Sequence, residues 1–267
     1  DHRDLHLSIR RQRQMCIRDS NNSTYVAWNW KAGGSGSSNT DGTITSTVSA
    51  NPTAGFSIVK YTGNATAGAT VGHGLSQAPE LTILRNYTVI HDWQTYAQPI
   101  GNTKYLSINS TSAEATSSTR WNDTTPSASV ITLGNSNPVN ESTKDIIIYC
   151  FHSVEGYSKV GKYLANNSAD GPFIYTGFQP AFVIIKALDY NYEWVMINNK
   201  MNPYNAVNKY LYANSNAAET VDATGNFDIV SNGFKIRDAS YNNNHPSGSG
   251  FIYYAVAESP FKTSNAR

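Results

Sequence analysis

Cysteine is nearly missing from this chain, with two in 267 residues. Cys16 and Cys150 cannot build a disulfide framework, and two thiols this far apart offer no metal-ligand spacing. Charge is scarce too. Only 15% of residues are Asp, Glu, Lys or Arg, against roughly 25% in ordinary globular chains. A near-neutral chain without basic clusters has no electrostatic footprint for nucleic acid. No run approaches the roughly 20 apolar residues a membrane helix needs. The histidines share no metal spacing, and neither a Gly-x-Ser-x-Gly elbow nor a phosphate-binding glycine loop occurs. No cofactor or metal is therefore expected. What fills the space is Asn, Ser, Thr and Gly, with 17 tyrosines. A surface of hydroxyls and amides is common in extracellular and virion β-proteins.

The chain also repeats itself. Gly55-Phe56-Ser57-x-Val59 returns as Gly156-Tyr157-Ser158-x-Val160. The run Pro79-Glu80-Leu81-Thr82-Ile83-Leu84-Arg85 returns as Pro180-Ala181-Phe182-Val183-Ile184-Ile185-Lys186, and Trp93 as Trp194, all at an offset of 101. Lys104-Tyr105-Leu106 returns as Lys209-Tyr210-Leu211, and Ala113-Glu114 as Ala218-Glu219, now at 105. Each copy closes on an apolar run, 146–151 and 251–256. Repetition of this kind means a module array. The segment 24–30 reads as the closing run of a further copy that lacks its beginning. Cys150 lies in the first closing run and reads as a buried, inert thiol, with Tyr253 or Tyr254 expected in the matching place.

Residues 1–20 read differently. Met15-Cys16-Ile17-Arg18-Asp19-Ser20 resembles the translation of a transposon end used to fragment DNA for sequencing. The stretch is set aside as an adaptor artefact, expected to make no tertiary contacts. Without it the balance is 15 basic against 16 acidic residues.

Elsewhere the pattern is β. Short runs rich in β-branched and aromatic residues follow prolines, and turn signals recur every 8 to 12 residues, the mark of a sandwich. The expected architecture is all-β, two tandem jelly-roll-like β-sandwich modules. The expected boundaries are 21–54 for a truncated repeat with linker and entry strand, 55–155 and 156–262 for the two repeats, and 263–267 for a tail. Helix is confined to single turns, expected at 112–118 and 213–219. Because Gly156 joins the copies almost directly, they should pack against each other.

The runs Tyr25-Val-Ala-Trp-Asn-Trp-Lys-Ala-Gly-Gly34, Asn39-Thr-Asp-Gly-Thr-Ile-Thr-Ser-Thr-Val-Ser49 and Gly55-Phe-Ser-Ile-Val-Lys-Tyr-Thr-Gly63 carry a resemblance. Ala169-Asp-Gly-Pro-Phe173, Ser231-Asn-Gly-Phe-Lys-Ile-Arg237 and Ala257-Glu-Ser-Pro-Phe-Lys262 extend it. The chain resembles uncharacterised repeat domains of tailed-phage, especially marine phage, tail fibre and appendage proteins. The resemblance implies a virion location, extracellular on release, and non-catalytic host-surface adhesion. The implied partners are other tail proteins, a host polysaccharide or receptor, and further copies of the chain, as in a trimer. Two other classes stay open: a tailspike-type hydrolase, and a secreted bacterial adhesin with a prophage-derived module.

Trp93 and Trp194 each follow an acid, Asp92 and Glu193. That pairing suits a sugar ring, and it equally suits a core or an inter-module seam. Tyr190, Tyr192, Tyr204 and Tyr241 stand in Asn-rich loops of the second copy. Tyr and Asn give large rigid contact area with adaptable hydrogen bonds. Hydrolysis would need two carboxylates about 5 to 10 Å apart, and Asp92, Asp123, Glu141, Asp189 and Glu193 sit singly in polar loops. The stretch 166–171 reads as a turn before it reads as a calcium loop. The Asn-x-Thr triplets at 64 and 86 read as chance sequons.

Overall fold

The computed structural model describes residues 26–202, 204–222 and 226–259; the stretch 1–20 lies outside them. The chain divides between Trp30 and Lys31 into two units. In the first, 26–30 run without regular secondary structure, so a closing strand is not formed over those five residues. The second unit carries all the described strands, and the all-β expectation holds.

Its first half holds β1 (Ser37–Asn39), β2 (Ser46–Asn51), β3 (Phe56–Thr62), β4 (Ala69–Gly72), β5 (Leu81–Asn86) and β6 (Gln94–Ala97). β7 (Lys104–Ser107), β8 (Ala115–Thr116), β9 (Val130–Leu133) and β10 (Asp145–Phe151) complete it. The second half holds β11 (Ser158–Leu164), β12 (Phe173–Tyr175), β13 (Pro180–Ala187), β14 (Val195–Asn198) and β15 (Lys209–Tyr212). β16 (Thr220–Val221), β17 (Phe227–Val230), β18 (Gly233–Ile236) and β19 (Gly250–Ala257) follow. The large sheets run β1-β2-β3-β10-β5-β6-β7-β8 and β11-β19-β13-β14-β15-β16, opposed by the small sheets β4-β9 and β12-β18-β17. From β3 and from β11 onward the two large sheets visit their strands in the same order. Registers agree as well. Tyr149 lies between Ile58 and Ile83 as Tyr254 lies between Val160 and Ile184.

Period-two alternation explains the cores. On β5, Leu84 points in and Arg85 points out; on β13, Val183 and Ile185 point in. One core gathers Val59, Tyr61, Leu84, Trp121, Ile131 and Ile148 between its sheets. The other gathers Tyr163, Ile185, Phe227, Phe234, Phe251 and Tyr253. Each buries an apolar face that a lone sheet would leave in water.

The structure corrects several details. The lead-in before residue 55 belongs to the first large sheet: β2 pairs along β3, because Ile44 and Val48 join the first core. Among the described residues the helical turns lie at α1 (Ser118–Trp121), α2 (Asn137–Asn140) and α3 (Tyr241–Asn244), with 3-10 turns at Pro52–Ala54 and Gln98–Ile100; of 112–118 only Ser118 is helical, and none of 213–219. Ala115 and Thr116 pair as an edge strand with β7 instead. Cys150 is buried, and burial pushes its thiol up to about 12. By register its counterpart is Ala255, not Tyr253 or Tyr254: Cys150 lies across from Ser57 and Thr82, Ala255 from Lys159 and Val183.

One exchange is informative. Val59 pairs with Ile148, and at the matching register Gly161, one residue beyond the Val160 that the sequence repeat aligns with Val59, pairs with Tyr253. A Cβ on Gly161 would stand 2.5 Å from the Tyr253 hydroxyl. The ring lies where a side chain at 161 would be, so two medium side chains in one core become none and one large in the other. Total volume is what close packing constrains.

Candidate functional site

Two regions carry the sequence candidates, a loop cluster of tyrosines and the seam between the halves.

The cluster forms where the 189–193 loop meets α3. The Tyr190 and Tyr192 rings stack, with centroids 5.5 Å apart and planes 13° from parallel. Tyr241 meets Tyr192 edge-on at 5.6 Å, and His245 meets Tyr241 edge-on at 4.3 Å. Tyr190 and Tyr241 are exposed. Desolvation first, then the neighbouring Tyr190 and Tyr241, raise the Tyr192 pKa, so its hydroxyl stays protonated. Asn242 places an amide beside the rings: its Oδ1 accepts from the Glu193 amide, and its Nδ2 donates to the Tyr212 hydroxyl at 3.3 Å. Sequence candidates from two separate loops thus converge. Tyr204 does not join them. It is exposed on the 202–208 loop, tied to β17 through Asn205 and Ile229, and makes no ring contact with the other three.

Lys186 sets the shape of the 189–193 loop. It is wholly buried, yet its Nζ donates to the carbonyls of Thr111 at 2.7 Å, Tyr192 at 2.6 Å and Tyr190 at 3.4 Å. Burial lowers its pKa from 10.5 to about 8, with Glu193 pulling the other way. The ammonium therefore remains the main form at neutral pH and fastens the tyrosine loop to the first half. The Asn191 side chain accepts from the Ala113 amide, and the Glu114 amide donates to Leu188.

Trp194 is not available to a ligand. It is 3% exposed, and its indole N–H donates to the Ser107 carbonyl across the seam. Leu81, Val160, Ile184, Ile252 and Tyr254 line a narrow gap beside it, and Tyr254 packs against Phe151. Trp93 is half-buried beneath the Arg85 guanidinium, 4.7 Å from its ring. Each neighbouring acid is tied to a turn asparagine. Asp92 accepts from Asn109 and Glu193 from Asn214, while the same two asparagines accept the backbone N–H of Trp93 and Trp194. The pairing that suggested a sugar site is a turn device used twice.

Of the other carboxylates, Asp123 is exposed and three are engaged. Glu141 takes Asn86 and His91, Asp189 caps the Gly250 amide, and Asp170 pairs with Lys235 at 2.6 Å. Among the described residues no three His, Cys, Asp or Glu side chains gather as for a metal, and no helix is long and apolar enough to cross a membrane.

Sequence reasoning missed the asparagines that hold each module's loops. Asn140 Nδ2 donates to Asn64 Oδ1, Thr66 O and Gly134 O, and its Oδ1 accepts the Asn64 amide. Asn244 Nδ2 donates to Asn166 Oδ1, Ser168 O and Asp238 O, and its Oδ1 accepts the Asn166 amide. Beside them the Tyr61 hydroxyl donates to Val139 O and that of Tyr163 to Asn243 O. The signal was present. Asn64-Ala65-Thr66 and Asn166-Asn167-Ser168 are the same Asn-x-Ser/Thr turn, each with its middle residue at positive φ. The triplets at 64 and 86 form Asx-turns.

Residues 8–260 match one family model, described as a domain of unknown function, DUF7483, so the chain belongs to that family. The matched range takes in part of the 1–20 stretch. No curated protein and no solved structure matches the chain.

Proposed function

We propose that this chain is a non-catalytic, surface-binding structural protein of the virion type, with two β-sandwich modules as a rigid frame and the Tyr190–Tyr192–Tyr241 cluster as its contact surface. The observation that carries this reading is the cluster itself. Three tyrosines from two separate segments meet beside amides, Tyr190 and Tyr241 exposed, and the loop bearing two of them is fastened by a buried ammonium. Loops on a rigid sandwich are where such frames carry recognition. Aromatic faces with adjacent amides suit the C–H face and hydroxyls of a sugar ring, so the favoured ligand is a host-surface polysaccharide. Engagement of Asp92, Asp189 and Glu193 by local amides supports binding over hydrolysis.

The test is binding of the chain to glycans and host cells, beside Tyr190→Ala and Tyr241→Ala. Both side chains are exposed, so folding should survive. Loss of binding in both variants supports the site, while equal binding by all three rules it out. A tailspike-type hydrolase would release reducing ends from the bound polysaccharide. A second reading, a spacer in a fibre, is favoured by the seam. Trp194, Lys186 and Tyr254 fix the halves to one another, and a spacer would bind no glycan at all.

A further inference from the structure

The seam joins two different surfaces, and among the described residues each has a more exposed counterpart. On the second module the outer face of the large sheet is covered: Ile184, Lys186, Leu188, Trp194, Ile252 and Tyr254 are all buried. What covers it includes the segment from Ser107 to Glu114 of the first module. Ser107 O takes the Trp194 indole, Thr111 O takes Lys186, and the amides of Ala113 and Glu114 bond Asn191 and Leu188.

By register the same positions on the first module are Ile83, Arg85, Tyr87, Trp93, Ile147 and Tyr149. None of these is buried; Arg85 and Tyr87 are exposed, and the neighbouring Ile90 is 98% exposed. The counterpart of the covering segment is Tyr212 to Glu219. Ala218 and Glu219 are exposed there, whereas Ala113 and Glu114 are half-buried. The segment keeps its shape, since Lys209 pairs with Glu219 as Lys104 pairs with Glu114, and Asn214 holds the Trp194 amide as Asn109 holds that of Trp93.

We infer that the outer face around Arg85, Trp93 and Ile90 docks a second copy of this chain by its 212–219 segment, head to tail, reproducing the internal seam between chains. Arg85 would take the carbonyl of Asn216 where Lys186 takes that of Thr111. Trp93 would donate to Tyr212 O where Trp194 donates to Ser107 O. Ile90 would meet Ala218 where Asn191 meets Ala113. Because face and segment are different surfaces, docking leaves one of each free, and association runs on as an array or closes as a ring. The inference rests on the seam and not on the tyrosine cluster, so failure of glycan binding does not touch it.

The experiment is sedimentation velocity of the full chain up to about 1 mM, the range in which weak docking shows. Ile90→Asp and Ala218→Asp are run beside it, with circular dichroism to show that both fold. Wild type should gain mass with concentration. Each variant alone should stay at the mass of one chain. An equal mixture should reach the mass of two chains and stop, because only one complementary pair of surfaces survives. A monomeric wild type throughout that range would overturn the inference. So would Ala218→Asp associating like wild type, as a face-to-face dimer would, or a mixture that stays monomeric.

Discussion

Replacing Lys186 by Met should weaken the seam, and the size of the effect can be worked from its surroundings. Holding the ammonium in the fold lowers its pKa from 10.5 to about 8, which at about 1.4 kcal/mol per pKa unit is a cost of about 3 kcal/mol. Against this stand its hydrogen bonds. Bonds from a charged donor contribute about 1.5–3 kcal/mol each, and those to Thr111 and Tyr192 are short. Methionine removes both terms, keeps most of the volume, and leaves the Thr111 and Tyr192 carbonyls without their donor. A net loss of about 1–3 kcal/mol follows, because each orphaned polar group costs about 1–3 kcal/mol by itself. Urea denaturation followed by tryptophan fluorescence reads it, since Trp194 lies in the same seam.

The pH dependence gives a second handle on the same residue. A lysine whose folded pKa lies below its unfolded value binds fewer protons folded than unfolded between the two. Stability from this group therefore rises with pH from about 8 to 10.5. Wild type carries that rise and Lys186→Met does not, so the gap between them should widen across the window. A variant as stable as wild type at pH 7 would refute the reasoning, as would a gap that stays constant to pH 10.

Asn244→Ala removes a side chain bonded to Asn166, Ser168 and Asp238; a loss of about 2–4 kcal/mol in chemical denaturation is expected, with Asn140→Ala similar in the other module. His73 is buried, and desolvation lowers its pKa below 6.5, so the folded state resists protonation and stability should fall as pH drops below 6.5, by at most about 1.4 kcal/mol per pH unit, a slope that His73→Gln should flatten. Gly161→Val alone should destabilise by about 1–3 kcal/mol through overlap with Tyr253, whereas Gly161→Val with Tyr253→Ile should recover most of that loss, a positive coupling that a double-mutant cycle measures.

What could be read from the chain divides along a physical line. Strands were legible because their apolar, β-branched runs are written locally, residue by residue; β5 and β13 contain the runs Leu81-Thr82-Ile83-Leu84 and Phe182-Val183-Ile184-Ile185 that follow prolines in the sequence. Three tyrosine candidates were legible by type, yet nothing in the sequence brings 190 and 192 to 241. That meeting depends on α3 being held by Asn244, eighty or so residues from the turn it clamps. Trp194 failed as a ligand candidate for a related reason. The acid beside it suggested a sugar site, and part of what buries it, Ser107, comes from the other module. The role of Lys186 has no local signal, because the three carbonyls it meets arrive from two loops.

The two copies add something a single module could not. Where they agree, as in the Asn clamps and the Lys–Glu pairs flanking each covering segment, the residues serve the fold of any such module. Where they differ, the difference follows from position in the array. Lys186 and Leu188 are buried because a module stands over them; Arg85 and Tyr87 occupy the same register and are exposed, with no module over them among the described residues. An arginine stacked on a half-buried tryptophan suits both conditions. Its guanidinium is satisfied by water and the ring while open, and it keeps donors free for carbonyls once covered. A buried lysine suits only the covered state, since alone in water it would fix no loop. The substitution between the two copies is thus what a face that must exist both free and docked would select, and the tyrosine loop fastened by Lys186 exists only on the module whose face is permanently closed.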